Sequence, residues 1–201
     1  MKSQFFQIDR LENTNLLKVI SPDGTNRLTR ACILALTAAI DDLGEQPAPL
    51  IITGNRNFFS VGADLNEIAA LTGLEAYEFS LMGQTLMNAI ASYAAPVVAA
   101  IEGHCMGGGL DLALACHRRI AAPGAVFGHR AAALGLITGW GGTQRLPRLI
   151  GKGKALELFV AAEKINTLRA LEIGLVDAIA KDPVAEALHV INGKKDTQLP
   201  D

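Results

Sequence analysis

Charge is scarce in this chain. Charged residues make up 19% of its 201, and the formal net charge is -2. No basic surface is available to neutralise a run of phosphates, so nucleic acid is excluded as an expected partner. Cysteine is scarce too. Cys32, Cys105 and Cys116 are odd in number, lack framework spacing and sit in apolar segments where free thiols pack as small hydrophobes. A reduced, intracellular protein is the expectation. The longest apolar runs, such as residues 94–101, fall well short of the ~20 residues that cross a bilayer. Asp9 and Arg10 stand where an export signal needs its apolar stretch, so no address is legible, no membrane partner is expected and the cytoplasm is the default. There is no internal repeat, low-complexity tract or long linker.

What is present suits one core. Half of the residues are apolar, enough for a single globular domain at this length. Residues 16–20 read as a strand, followed by a turn at Pro22, Asp23 and Gly24. Leu28, Cys32, Leu36, Ala39 and Leu43 then share one face of a helix that stops at Gly44. Residues 50–53 and 97–101 are continuous apolar strands. Between them Phe79, Met82, Leu86, Ile90 and Tyr93 line a helix over 74–93, with Pro96 as its stop. Apolar strands without alternation, separated by amphipathic helices, indicate sheets covered on both faces. The class is α/β. Further on, Thr167 is expected to cap a helix over 168–173 that Gly174 closes in the left-handed conformation.

Two segments have the composition of a site. Phe58-Phe59-Ser60-Val61-Gly62-Ala63-Asp64-Leu65 follows the strand 50–53, and ligands in α/β proteins gather at the C-terminal ends of strands. The plainer alternative is a strand, a loop and a helix capped by Asp64. In the second segment the strand 97–101 runs into Gly107-Gly108-Gly109, which opens a helix. Adjacent glycines cost about 1 kcal/mol each against alanine in regular structure, so the conformation needs them. N–H groups at such a start can face an anion or a developing oxyanion. A nucleotide-phosphate loop would need a lysine and a hydroxyl residue next, but Leu110 and Asp111 stand there, and the dinucleotide fingerprint is missing as well. His104-Cys105 and Cys116-His117 match no common zinc spacing, and Ser60, Ser80 and Ser92 lack a nucleophile elbow.

Five motifs, in order, resemble the crotonase family of enoyl-CoA hydratases and isomerases. They are Phe59-Ser60-Val61-Gly62-Ala63-Asp64; Gly103 with Gly107-Gly108-Gly109; Phe127-Gly128; Gly141-Gly142-Thr143-Gln144-Arg145-Leu146; and Ala170 with Gly174-Leu175-Val176-Asp177. The resemblance covers about residues 16–182. It implies a spiral of strand-strand-helix turns and an acyl-CoA thioester whose carbonyl oxygen meets the backbone N–H groups of Ala63 and Gly108. Coenzyme A would enter as part of the substrate, with no prosthetic group and no metal. Val61, Gly62, Asp64 and Gly107 are expected along the bound substrate, together with His129, and with Trp140 as pocket wall or core.

Hydratases of this family use two glutamates. The first position is Asp111 here; the second, after Phe127-Gly128, is Ala131, and a further carboxylate position of specialised relatives is Gly139. His129 or Arg130, adjacent to the vacant position, can take the missing part; the alternative is a solvated loop histidine. The family's lysine after the Gly-Ala-Asp turn is Asn66, which leaves Arg27, Arg30 or Arg56 for CoA phosphates. The reading divides the chain into a core over 1–182 and a short tail over 183–201, loose and polar from 191 on, in place of the family's C-terminal helices. A homo-oligomer, trimer or dimer of trimers, is expected by resemblance. Three functions remain in view: a hydratase or isomerase with Asp111 carrying the proton, an acyl-CoA-binding relative without turnover, and a thioester hydrolase or decarboxylase.

Overall fold

The computed structural model describes residues 2–193. In chain order the elements begin with β1 (Phe6–Leu11), β2 (Thr14–Val19), β3 (Arg27–Leu28), α1 (Arg30–Gly44), β4 (Leu50–Thr53), β5 (Phe58–Ser60) and β6 (Gly62–Ala63). Next come α2 (Leu65–Ala69), α3 (Gly73–Ala91), β7 (Val97–Ile101), β8 (His104–Met106), α4 (Gly108–Ala115), β9 (Arg118–Ala121) and β10 (Val126–Gly128). A 3-10 turn at Ala132–Leu134 precedes α5 (Gly142–Ile150), α6 (Lys152–Ala161), β11 (Ile165–Asn166), α7 (Thr167–Glu172), β12 (Ala178–Ile179) and α8 (Pro183–Ile191).

The order of the sheets explains the alternation. One sheet runs β1-β2-β4-β7-β9-β12 and a second β11-β10-β8-β5, while β3 and β6 form a short pair. β4, β7 and β9 are parallel neighbours in the first sheet, and β5, β8 and β10 in the second. Each pass of the chain therefore adds one strand to each sheet before a helix returns it, which is the strand-strand-helix spiral expected. Within β7, Val97, Ala99 and Ile101 face the main core, whereas Val98 and Ala100 face a second cluster with Ile51, Ile120 and Ala187. A strand buried on both faces has no reason to alternate.

Several boundaries move for physical reasons. β1 had no counterpart in the sequence reading; it is an edge strand pairing antiparallel with β2, its residues mostly part-exposed. Leu28 belongs to β3 rather than to the helix, and Thr29 caps α1 by accepting the Cys32 N–H at 3.2 Å. α3 ends at Ala91, so Tyr93 lies beyond it and donates its hydroxyl to Leu43 O and Ala48 O. Asn166, not Thr167, caps α7; Thr167 is buried and donates to the carbonyls of Ala122 and Ala125. Gly174 does close that helix, at φ 81°.

The first half of the segment over 183–201 is helical. Asp182 caps α8 by accepting from Val184 N and Ala185 N, and Ala187, Val184 and Leu188 cover the first sheet. Residues 194–201 lie outside the described residues. All three cysteines are buried and free, and burial pushes the Cys32 and Cys116 thiols up to about 12. Among the described residues no helix is long and apolar enough to cross a membrane.

Candidate active site

The two glycine-containing turns meet. Gly62 turns at φ 88°, and a side-chain carbon there would stand 2.6 Å from Gly108 N and 2.7 Å from Met106 O, so only glycine permits the approach. Ser60 supports the turn: its Oγ accepts from Gly62 N and donates to Asn26 O. A carbon on Gly108 would lie 3.3 Å from Ala63 N and 2.2 Å from the Trp140 ring. The N–H groups at Ala63 and Gly108 are thus brought together from β6 and from the first turn of α4, where N–H groups have no intrahelical acceptor. Gly107, at φ 52°, turns the chain into that helix.

Ala63 and Gly108 border a cavity of about 260 Å³ whose walls include Leu65, Ile68, Leu71 and Phe79. A larger hollow of about 480 Å³, between residues 93–98, His117 and Ile191, shares no lining residue with it and none of the motif glycines. Trp140 is buried in the cavity wall, its ring tilted against Phe79 with centroids 5.4 Å apart, and its Nε1 donates to Phe79 O.

Asp111 is the acid of the cavity. It is 2% exposed and lines the space beside Thr138, whose hydroxyl donates to Asp111 Oδ2. His129 is buried too, its Nε2 3.3 Å from Asp111 Oδ1, and is no solvated loop residue. It does not line the cavity, so it faces Asp111 rather than the space a substrate would fill. Arg130 is exposed beside Glu163 and Lys164 on another surface. Ala131 does line the cavity, and presents a methyl group where a second carboxylate was sought. Burial pulls the Arg145 guanidinium below its ordinary range, against the attraction of Asp111.

Other expected residues serve the frame. Asp64 caps α2 through Asn66 N and Glu67 N, the plainer of its two readings, and pairs with Arg27 at 3.2 Å; it is not among the residues lining the cavity. Val61, Gly62 and Gly107 likewise shape the turns without lining the cavity. Arg27 is already tied to Asp23 at 2.6 Å, and Arg30 lies over the Phe79 ring, whereas Arg56 is exposed. His104 packs on Phe58, and His117 Nδ1 accepts from Val97 N. Among the described residues no three His, Cys, Asp or Glu side chains are grouped to hold a metal ion.

Two residues at the site had no role in the sequence reading. Thr138 has no local signal, because a lone threonine in a loop resembles any other. Gly142 stands in a recognised motif, but its purpose is spatial: a side-chain carbon there would meet Asp111 Oδ1 at 2.2 Å and His129 Nε2 at 3.0 Å.

Residues 11–192 match the enoyl-CoA hydratase/isomerase family. The chain is 38% identical over 177 residues to the crotonyl-CoA hydratase of Syntrophomonas wolfei, a match covering 87% of this chain and 68% of that protein. A probable enoyl-CoA hydratase of Bacillus subtilis is 50% identical over 136 residues, 66% of this chain and about half (52%) of the relative's length. The enoyl-CoA hydratase structure from Bacillus anthracis superposes with a TM-score of 0.89 at 33% identity, covering 94% of this chain and 76% of that one. By the extent of these matches, together with the spiral they share, the chain belongs to the enoyl-CoA hydratase/isomerase family.

Proposed function

We propose that the protein acts on an acyl-CoA thioester by stabilising its enolate between the N–H groups of Ala63 and Gly108, with Asp111 moving the proton. It hydrates a 2-enoyl group or shifts a double bond. The observation carrying this reading is a buried carboxylate on the wall of an apolar cavity that also holds both N–H-bearing residues. Charge developing on the thioester oxygen is worth about 3 kcal/mol per fixed donor in a water-poor site. The apolar walls suit an acyl chain, and coenzyme A enters as part of the substrate, with no prosthetic group. The S. wolfei relative bears the name of a hydratase of the four-carbon enoyl thioester, which favours short chains. A homo-oligomer, trimer or dimer of trimers, is part of the same reading.

Ala131 favours a second reading: thioester hydrolysis, decarboxylation, or acyl-CoA binding without turnover, none of which needs a second carboxylate. The purified protein should be incubated with enoyl-, 3-hydroxyacyl-, malonyl- and saturated acyl-CoAs and the products followed by mass spectrometry. Interconversion of enoyl- and hydroxyacyl-CoA, lowered at least 100-fold by Asp111→Asn, is the expected outcome. Near-normal turnover in that variant would end the role of Asp111. CoA binding with no product from any thioester would end the enzymatic readings.

A further inference from the structure

Asp111 and His129 form a buried polar pair at the cavity wall. Their side chains are 2% and 1% exposed. Asp111 Oδ1 and both ring nitrogens of His129 are buried without a hydrogen-bond partner, while the other carboxylate oxygen, Oδ2, accepts from Thr138. The imidazole packs on the Phe159 ring, centroids 5.3 Å apart. Gly142 leaves room where the pair converges. Buried polar atoms of this kind are ordinarily satisfied, and for Oδ1 the ring Nε2 stands 3.3 Å away.

We infer that His129 is a positioning residue for Asp111: the two side chains stand 3.3 Å apart without hydrogen-bond geometry, and a small turn of the ring directs its Nε2–H to Oδ1 while the Thr138 hydroxyl holds Oδ2, so that one donor on each oxygen sets the plane of the carboxylate. This rests on the reading of Asp111 as the proton-transfer group. An imidazole carrying one proton has one donor and one acceptor nitrogen. Nε2 is the nitrogen with an acceptor beside it, so it carries the hydrogen, and Nδ1 remains a bare lone pair. His129 does not line the cavity, so it reaches a thioester only through Asp111. It therefore does not take over the missing glutamate's work on the substrate. Its contribution is orientation, which appears in kcat and leaves KM nearly unchanged.

The test combines ring tautomer and isosteric replacement in the intact protein. Nitrogen-15 NMR of the histidine rings, with the His129 signals identified by their loss in His129→Phe, should report an Nε2–H tautomer whose Nε2 resonance moves in Asp111→Ala. In turnover, His129→Phe should lower kcat about 10- to 100-fold, the scale of a lost hydrogen bond to a charged group. His129→Gln, whose amide nitrogen overlies Nε2, should restore most of that loss, and His129→Asn, which mimics Nδ1, should not. An Nδ1–H tautomer, an Nε2 resonance indifferent to Asp111→Ala, or a fully active His129→Phe overturns the proposal. If Asp111→Asn proves fully active, the proton-transfer reading fails by itself, and the NMR arm still decides whether His129 holds the carboxylate.

Discussion

A side-chain carbon on Gly142 would stand 2.2 Å from Asp111 Oδ1 and 2.9 Å from Thr138 Cγ2. Neither neighbour is the loose end of a long side chain, so Gly142→Ala must push the carboxylate away from its hydroxyl partner. Overpacking of this size costs about 1–3 kcal/mol of stability, within what a folded domain tolerates. A displacement of about 1 Å at a reacting group costs roughly 100-fold in rate. The expected outcome is a folded protein with kcat lowered by about two orders of magnitude, read by steady-state kinetics beside a thermal melt. A melting temperature near wild type with unchanged turnover would show that Asp111 is not needed where it stands.

At the scale of elements, the Gly174-Leu175-Val176-Asp177 segment ties β12 to β9. Arg119, 4% exposed on β9, donates Nε to Leu175 O and Nη1 to Cys116 O, each at 2.8 Å. Its Nη2 lies 3.2 Å from Asp177 Oδ2, which also accepts the Arg119 backbone N–H at 2.8 Å. Asp177→Ala leaves a buried guanidinium without its carboxylate. Full burial of both partners would make that cost about 3–5 kcal/mol; the part-exposed Asp177 side chain lowers the expectation to about 2 kcal/mol. Urea unfolding measures it, and a loss under about 0.5 kcal/mol would contradict the bond's role. The motif was visible in the sequence as a string of residues. Its partner was not, because Arg119 lies 58 positions earlier and looks like any surface arginine.

For the molecule as a whole, α8 decides whether the first sheet is covered on its outer face. Ala187 is fully buried in the cluster of Ile51, Val98, Ala100 and Ile120. Ala187→Asp places a carboxylate there with no partner, and a loss of 3 kcal/mol or more is expected in the same unfolding assay. A neutral effect would mean that α8 does not depend on its contact with the sheet. The sequence by itself determined the central architecture: residues 50–53 and 97–101 match β4 and β7 to the residue, because a strand apolar on both faces leaves its pattern in consecutive positions. It also determined the order of the glycine turns at Gly62 and Gly107-Gly108-Gly109, since close approach at Gly62 and Gly109 and the positive φ at Gly62 and Gly107 favour glycine. Only the tertiary structure decided that Thr138 and His129 attend Asp111 and that Arg130 faces away. Periodicity and caps are set by neighbours along the chain, whereas these placements depend on which turn of the spiral lies beside which, across 27 residues between Asp111 and Thr138.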